Sequence, residues 1–183
     1  MENLEIEYKV MINKDGFNKV LNHFKDVPII DQTNNYYETP NNAVTEEDLS
    51  LRIRYIKNDN SYLLTLKETL SVGKLEHEFY VKGNDISYLP AEIIDILNKY
   101  NINYKDLKCI GSLRTIRREI KTEEYNLCLD ENHYNNIVDY EIECEANDMK
   151  KAKKTIIDLL EPLNIEYQKS KKSKLGRFKA SLN

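Results

Sequence analysis

Strict alternation of apolar and charged side chains is the most regular pattern in this chain. Residues 4–10 alternate from end to end, which is typical of a β-strand with one apolar and one polar face. Residues 49–56 and 62–67 repeat the pattern, and the Asn-Asp-Asn sequence at 58–60 favours a hairpin turn between them. The pattern therefore predicts strands that bury one face and present polar side chains on the other.

Further segments of the same kind complete the predicted strands. They are residues 34–38, 76–81, 113–121, 125–131 and 138–146. An Asn-Asn pair at 135–136 favours a turn before the last of them. Residues 39–48 are polar, contain Pro40 and are predicted to form a loop. Eight strands are thus expected.

A helical period of 3.6 residues replaces the alternation elsewhere. The segments with an apolar stripe at this period are residues 14–24, 88–100 and 147–160. Asn147 or Asp148 is the predicted cap of the last helix, and Pro162 ends it. The basic tail, residues 169–182, is expected to form a short final helix.

These elements predict an α+β fold. Consecutive strands favour antiparallel pairing, and eight of them can close into a barrel that leaves no free edge. We therefore expect an eight-stranded antiparallel closed β-barrel, a tunnel, with the helices packed outside. No linker, low-complexity tract or internal repeat divides the sequence, so residues 1–183 are expected to form a single domain.

Composition narrows the class of protein. Apolar residues make up 40% of the chain and charged residues 32%, which is typical of a soluble globular protein. No apolar segment is long enough to span a membrane and none forms an N-terminal leader, so a cytoplasmic location without a membrane partner is expected. A net charge of −4 argues against a general nucleic-acid binder. The three cysteines lack the spacing of a zinc site and are expected to be free thiols.

Carboxylates cluster on the polar faces of the predicted strands. The clusters are Glu5 with Glu7, Glu76 with Glu78, and Glu141 with Glu143 and Glu145. Neighbours on one face of a strand lie about 7 Å apart, so such groups repel one another inside a narrow lumen. A bound divalent cation relieves the repulsion, and oxygen ligands suit Mg²⁺ or Mn²⁺. The alternative is a solvated polar face of an antiparallel sheet.

Basic residues form a complementary set. They are Arg52, Arg54, Lys67 and Arg117 on predicted strands, with Lys174 and Arg177 in the tail. Arginine binds phosphate oxygens with two parallel hydrogen bonds, and lysine supplies a point charge. Carboxylates for a metal and cations for phosphate together are typical of metal-assisted phosphoryl transfer. The alternative is that these residues are ordinary surface charges. This alternative is strongest for Lys174 and Arg177 in the tail.

The order of these residues resembles the CYTH domain family, the triphosphate tunnel metalloenzymes, and most closely its small stand-alone bacterial members. The matching motifs are Glu5-Ile6-Glu7-Tyr8-Lys9, Tyr36-Tyr37-Glu38-Thr39-Pro40, Arg52-Ile53-Arg54, Thr65-Leu66-Lys67, Glu76-His77-Glu78, Arg117, Asp130 and Glu141-Ile142-Glu143. The resemblance extends from residue 4 to about residue 180. It implies an antiparallel tunnel, divalent-metal dependence and a triphosphate substrate.

The resemblance also implies roles for individual residues. Metal ligation falls to Glu5, Glu7, Glu141 and Glu143, with Asp130 and Glu145 as ligands of a second metal or as groups that hold the ligands in place. Phosphate binding falls to Arg52, Arg54, Lys67, Arg117, Lys174 and Arg177. Lys9 either contacts a phosphate or orders the attacking water, and it joins Glu5 and Glu7 as a catalytic candidate.

The expected activity is metal-dependent hydrolysis of a triphosphate-containing small molecule, with Mg²⁺ or Mn²⁺. Aromatic residues are only 9% of the chain and tryptophan is absent, so inorganic triphosphate is favoured over a nucleotide, which needs ring contacts. Tyr80 is the main ring that alternation directs inward. The alternatives are an adenylate cyclase of the same fold and a non-catalytic module that binds polyphosphate or a nucleotide. The sequence predicts no oligomeric state.

Overall fold

The computed structural model describes residues 2–182, and the side chains from residue 4 onward. The strands are β1 (Glu2–Glu5), β2 (Glu7–Ile12), β3 (Ile29–Glu38), β4 (Leu49–Ile56), β5 (Ser61–Thr69), β6 (Lys74–Val81), β7 (Lys108–Lys121), β8 (Tyr125–Tyr134), β9 (Ile137–Ala146) and β10 (Tyr167–Lys169). The α-helices are α1 (Lys14–Leu21), α2 (Ala43–Glu46), α3 (Ala91–Lys99), α4 (Met149–Leu160) and α5 (Lys174–Ala180). No helix in this part of the chain is long and apolar enough to cross a membrane.

The strands are hydrogen-bonded in the order β1-β6-β5-β4-β3-β7-β8-β9-β2-β10. The α+β class and the antiparallel pairing are confirmed, for example between β8 and β9 and between β4 and β5. The expectation of a closed eight-stranded barrel is wrong. Over residues 2–182 there are ten strands, and their order ends at β10 without returning to β1.

Two local features account for the difference in strand number. The predicted strand at 4–10 is interrupted at Ile6, so its two parts are separate strands with different neighbours, β6 for β1 and β9 for β2. The additional strand β10 has only three residues, too few for an alternating pattern to be recognised. It pairs antiparallel with β2 through Lys169 and Val10.

Other element boundaries also shift from the sequence-based expectation. The segment predicted to be a loop contains α2, whose backbone N–H groups at Val44 and Thr45 donate to the buried Glu38 carboxylate. Helix α3 begins only at Ala91, because Pro90 disfavours the helical conformation of the preceding Leu89, which is extended with ψ 146°. Asp148 is confirmed as the cap of α4, since its side chain accepts a hydrogen bond from the backbone N–H of Lys151 at 2.9 Å.

The described chain divides into two compact units, each built from two separate segments. The first unit comprises residues 2–4 and 33–112, and the second comprises residues 5–32 and 113–182. Strands β1, β3 and β7 contribute residues to both units. The single domain expected over residues 1–183 stays a prediction.

The core of the first unit lies between β4, β5 and α3. Alternate residues of the two strands, such as Leu51 and Leu64, are fully buried and pack with Ile93 and Leu97 of α3. Because side chains alternate along a strand, the residues between them point to the opposite face. That face carries the basic residues of β4 and β5.

The core of the second unit is built in the same way. Val10 of β2, Leu129 of β8 and Ile142 of β9 are fully buried in a cluster that includes Val20 of α1 and Ile156 of α4. The opposite faces of these three strands carry the acidic residues. The buried apolar cluster thus determines which side of the sheet the carboxylates occupy.

The hairpin between β8 and β9 sets the register of the acidic residues. Asn135 and Asn136 both have positive φ, 45° and 64°, and Tyr134 pairs with Ile137 across them. Two such residues are typical of a type I′ turn, and asparagine tolerates this conformation well. The turn therefore fixes the pairing of Asp130 with Glu141 further along the hairpin.

Candidate metal and phosphate site

The polar face of the second unit brings most of the predicted metal residues together. Glu7 of β2 lies opposite Glu145 of β9, and Lys9 lies opposite Glu143. On the other side of β9, Asp130 of β8 lies opposite Glu141. These residues were predicted from alternation and from the family resemblance, but the strand pairing is what makes them neighbours.

Three buried carboxylates form the first group, here called the Asp130 set. Its members, Asp130, Glu141 and Glu143, have oxygen atoms that lie within 4.8 Å of one another. Lys174 of α5 contacts all three, with its Nζ at 2.9 Å from Asp130, at 2.6 Å from Glu141, and also paired with Glu143. The set is therefore neutralised in part by an ammonium group of the protein itself.

Arg117 of β7 provides a second cation to the Asp130 set. It donates from Nε and Nη2 to the two oxygens of Asp130, at 2.8 and 2.6 Å, and from Nη2 to Glu143 at 2.6 Å. Arg117 was predicted to bind phosphate. Its guanidinium group is instead engaged by two carboxylates here, so the phosphate role stays a prediction.

Arg177 of α5 also contacts this face, and one of its partners is Asp139, which was not among the predicted site residues. Its Nε donates to Asp139 at 2.8 Å, and its Nη1 lies 2.5 Å from Glu141. Asp139 is two residues before Glu141 on β9, so alternation places both on one face. The signal was present in the sequence, but no family motif directed attention to it.

A second group, here called the Glu5 set, consists of Glu5, Glu7 and Glu145. Oxygen atoms of these three side chains also lie within 4.8 Å of one another. Lys9 is next to the set, with its Nζ at 2.6 Å from Glu7 and 3.2 Å from Glu143. Over the part of the chain that the structure describes, the side-chain carboxylate of Glu145 has no hydrogen bond or ion pair.

The charges give the two groups different electrostatic environments. Burial favours the neutral form of Glu143, but Lys174 and Lys9 outweigh it and hold the pKa of that carboxyl well below its ordinary value. Burial raises the pKa of Glu145 from 4.5 to about 7, and the like charges of Glu5 and Glu143 add to the effect. A cation bound beside Glu145 would therefore favour the ionised form of that carboxyl.

The raised pKa of Glu145 predicts a pH dependence of stability in the metal-free protein. Below pH 4.5 the carboxyl is protonated in both the folded and unfolded states and has no effect. Between pH 4.5 and about 7 the unfolded chain releases the proton more readily, so the free energy of unfolding should fall as the pH rises. Urea denaturation in EDTA across this range should show a smaller fall for Glu145→Gln than for wild type.

The exposed Glu123, in the β7–β8 turn, provides the control for this measurement. Glu123→Gln makes the same chemical change away from the polar face and should follow the wild-type curve. Parallel curves for Glu145→Gln and wild type would contradict the electrostatic account of the Glu5 set.

The polar face of the first unit carries three of the predicted phosphate-binding cations. Arg52 of β4 pairs with Thr65 of β5, and Lys67 of β5 pairs with Glu76 of β6. Lys67 forms an ion pair with Glu76. Burial works against ionisation of Glu76, but Lys67 and Arg52 prevail and hold its pKa below the ordinary value.

Arg52 and Arg54 differ in how they are held. Arg54 donates from Nε to the side-chain oxygen of Asn34 at 3.0 Å. The Nε of Arg52 is buried and, among the residues described, has no hydrogen-bond partner. A buried donor without a partner is costly, and an anionic oxygen would satisfy it. Arg52 is therefore the strongest anion-binding candidate in the first unit.

The residues of both carboxylate sets fit a hard divalent cation. All six side chains offer carboxylate oxygens, the ligands that Mg²⁺ and Mn²⁺ prefer. The sets differ in access, because Lys174 and Arg117 already contact the Asp130 set, whereas the Glu145 carboxylate of the Glu5 set has no direct side-chain contact with a cation among the residues described. The fit to a cation is therefore most direct at the Glu5 set.

Two comparisons relate this chain to known protein sequences. A family sequence model described as the CYTH domain matches residues 3–178. A protein of Bacillus subtilis (strain 168) named "Putative triphosphatase YjbK" is 34% identical over 183 residues, covering 97% of this chain and 95% of the relative. The similarity therefore extends over nearly the full length of both proteins.

Solved structures extend the comparison to the fold. A Bacillus halodurans protein, described as a "putative adenylate cyclase", has a TM-score of 0.85 at 30% identity, with 97% of this chain and 98% of that chain covered. A Hippeastrum protein, described as a "putative adenylyl cyclase" with a dominant triphosphatase activity, has a TM-score of 0.81 at 22% identity, with 97% and 96% covered. The second likeness concerns the fold alone.

Proposed function

Because the chain belongs to the CYTH family, we propose that it is a divalent-metal-dependent hydrolase of small triphosphates, with inorganic triphosphate as the preferred substrate. The observation that carries the proposal is the pair of carboxylate sets on one face of the second unit. The similarity to a relative named as a triphosphatase supports it. Binding of an anion alone has no use for six clustered carboxylates, which argues against a non-catalytic module.

In this proposal the carboxylates hold the cation. Glu5, Glu7 and Glu145 bind it first, since the Asp130 set is already neutralised in part by Lys174 and Arg117. A bound Mg²⁺ or Mn²⁺ would polarise phosphate oxygens and lower the pKa of a coordinated water. Glu141 and Glu143 of the Asp130 set are the remaining ligands that the sequence predicts, and Asp130 is an additional one.

The basic residues bind the substrate in this proposal. Arg52, Arg54 and Lys67 donate to phosphate oxygens and stabilise the charge that builds up on them during transfer. Lys9 lies beside Glu7 and Glu143, so it either donates to a phosphate or orients the attacking water. No covalent intermediate is needed, because water attacks the terminal phosphorus in line with the leaving diphosphate.

The substrate preference follows from the chemistry of the polar faces. A compact linear polyanion can use several cations at once, whereas a nucleotide base needs apolar and aromatic contacts. Tyr80, on the same face of β6 as Glu76 and Glu78, is 74% exposed. An exposed ring of this kind does not form the enclosed pocket that a base would need.

A substrate panel tests the proposal. The purified protein is supplied with Mg²⁺ or Mn²⁺ and either inorganic triphosphate or ATP, and phosphate release and cyclic AMP are both measured. We expect a higher kcat/KM for inorganic triphosphate, with one phosphate released and diphosphate left. Tyr80→Ala should leave this activity unchanged.

The second candidate is an adenylate cyclase, which the likeness to the Bacillus halodurans protein favours at 30% identity. In that case the ribose hydroxyl replaces water as the nucleophile. Formation of cyclic AMP with a higher kcat/KM for ATP would overturn the hydrolase proposal in favour of the cyclase.

Loss of Arg52 is expected to weaken binding of inorganic triphosphate. Hydrogen bonds to charged groups contribute about 1.5–3 kcal/mol, so Arg52→Ala and Arg54→Ala should each lower the binding free energy by that amount in calorimetric titration. Melting temperatures should change little, because removal of Arg52 also removes a buried donor without a partner. Lys57→Ala, which removes an exposed cation after β4, is the control. Unchanged affinity in both arginine variants would exclude them from the phosphate site.

A further inference from the structure

Lys174 occupies the position in the Asp130 set that a divalent cation would take. Its ammonium contacts Asp130 at 2.9 Å and Glu141 at 2.6 Å, and it also pairs with Glu143. Its side chain is only 10% exposed. A single cation is therefore surrounded by three carboxylates, which is the arrangement of ligands around a metal ion.

An ammonium group and a divalent cation cannot share this position. Both need the same carboxylate oxygens, and like charges a few ångströms apart repel strongly away from bulk water. Arg117 adds a further positive charge in contact with Asp130 and Glu143. A divalent cation can therefore enter the Asp130 set only if a resident cation leaves.

Lys174 is the resident cation that is able to leave. Arg117 lies within the long strand β7, whereas Lys174 is the first residue of α5, a helix of only seven residues. Helices this short have little stability of their own and depend on their contacts. The contacts of α5 include those of Lys174 and Arg177 with the acidic face and those of the buried Phe178, whose ring packs edge-on against Tyr134.

We propose that Lys174 is a displaceable internal cation, so that α5 closes the Asp130 set in the absence of a divalent metal and is released when a metal enters it. The proposal rests on the proposed function in one respect, namely that these carboxylates bind a divalent cation. It adds that metal binding and α5 docking are mutually exclusive. Released Lys174 then becomes available to an anionic ligand.

The first test measures metal affinity without any substrate. Lys174→Met keeps the length and apolar stem of the side chain and removes the competing charge. Titration of the purified protein with Mn²⁺, followed by electron paramagnetic resonance, should show binding at least about tenfold tighter than wild type, equivalent to about 1.4 kcal/mol. Lys172→Met removes an exposed charge just before α5 and should bind Mn²⁺ like wild type.

The second test uses the wild-type protein, so it does not depend on the folding of a variant. Hydrogen exchange of backbone amides in residues 174–180 should become faster when Mn²⁺ is added, because α5 loses its contacts with the acidic face. Exchange in α4 of the same protein should not change. Equal Mn²⁺ affinity in Lys174→Met and wild type, or unchanged α5 exchange, would overturn the proposal.

The outcomes separate this proposal from the proposed function. Phosphate release from inorganic triphosphate is assayed in parallel on wild type. Hydrolysis without release of α5 overturns the displacement of Lys174 and leaves the hydrolase intact. Release of α5 by Mn²⁺ without hydrolysis supports the displacement of Lys174 and overturns the hydrolase proposal.

Discussion

Glu7→Gln is expected to lower kcat/KM for inorganic triphosphate by about 100-fold or more, the usual effect of removing a key electrostatic group. Glutamine keeps the shape of the side chain but removes one negative charge from the Glu5 set. Glu5→Gln and Glu143→Gln should act in the same direction. EDTA should abolish the activity of wild type, because it removes the divalent cation that these carboxylates are proposed to bind.

The fold should tolerate the change at Glu7. Lys9 loses its 2.6 Å contact with Glu7 but keeps Glu143 at 3.2 Å, so its charge stays compensated. Steady-state assays over a range of Mg²⁺ concentrations measure the effect, and part of the loss should be recovered at high Mg²⁺. Glu47→Gln, at an exposed position after α2, should have wild-type activity. Full activity of wild type in EDTA would contradict the metal requirement altogether.

Arg117→Met is expected to lower the free energy of unfolding by about 3–5 kcal/mol, as is usual when one partner of a buried ion pair is lost. The variant leaves Asp130 and Glu143 buried without the guanidinium that donates three hydrogen bonds to them. Burial already favours the neutral form of Asp130, and Arg117 is the largest of the neighbouring charges that hold its pKa below the ordinary value. Urea denaturation in EDTA measures the difference.

The same strand offers a matched control for Arg117. Arg114 forms a two-bond pair with Asp31 at 2.8 Å, but its side chain is 49% exposed. Exposed pairs contribute about 0–1 kcal/mol, so Arg114→Met should have a small effect. A double variant, Arg117→Met with Asp130→Asn, should recover part of the lost stability. Equal unfolding curves for the two single variants would show that burial does not distinguish the two pairs.

The sequence was sufficient to assign side chains to faces. On β9, residues 141, 143 and 145 alternate with buried apolar residues such as Ile142, and period two alone predicts that they share a face. The same rule places Arg52 and Arg54 together on β4. These predictions succeed because the burial of one strand face is a local consequence of composition. The motifs then identified the family over almost the whole chain.

The number of strands could not be predicted from the alternation of residues along the chain. Nothing in the alternation of residues 4–10 reveals the interruption at Ile6, because hydrogen bonds to different neighbours decide it. The three-residue β10 exists only because β2 offers it a partner. Pairing is a tertiary property, since each strand's partners come from distant parts of the chain.

The sequence by itself determined which residue types line the polar faces, because alternation and a buried apolar core leave the charged side chains no other side of the strand. Only the tertiary structure decided how those charges pair. The hairpin turn at Asn135 and Asn136 sets Asp130 against Glu141, and the end of the chain brings Lys174 into a group of carboxylates more than thirty positions away. Electrostatic energy depends on distances of a few ångströms, and such distances between remote residues are fixed by strand register and helix docking.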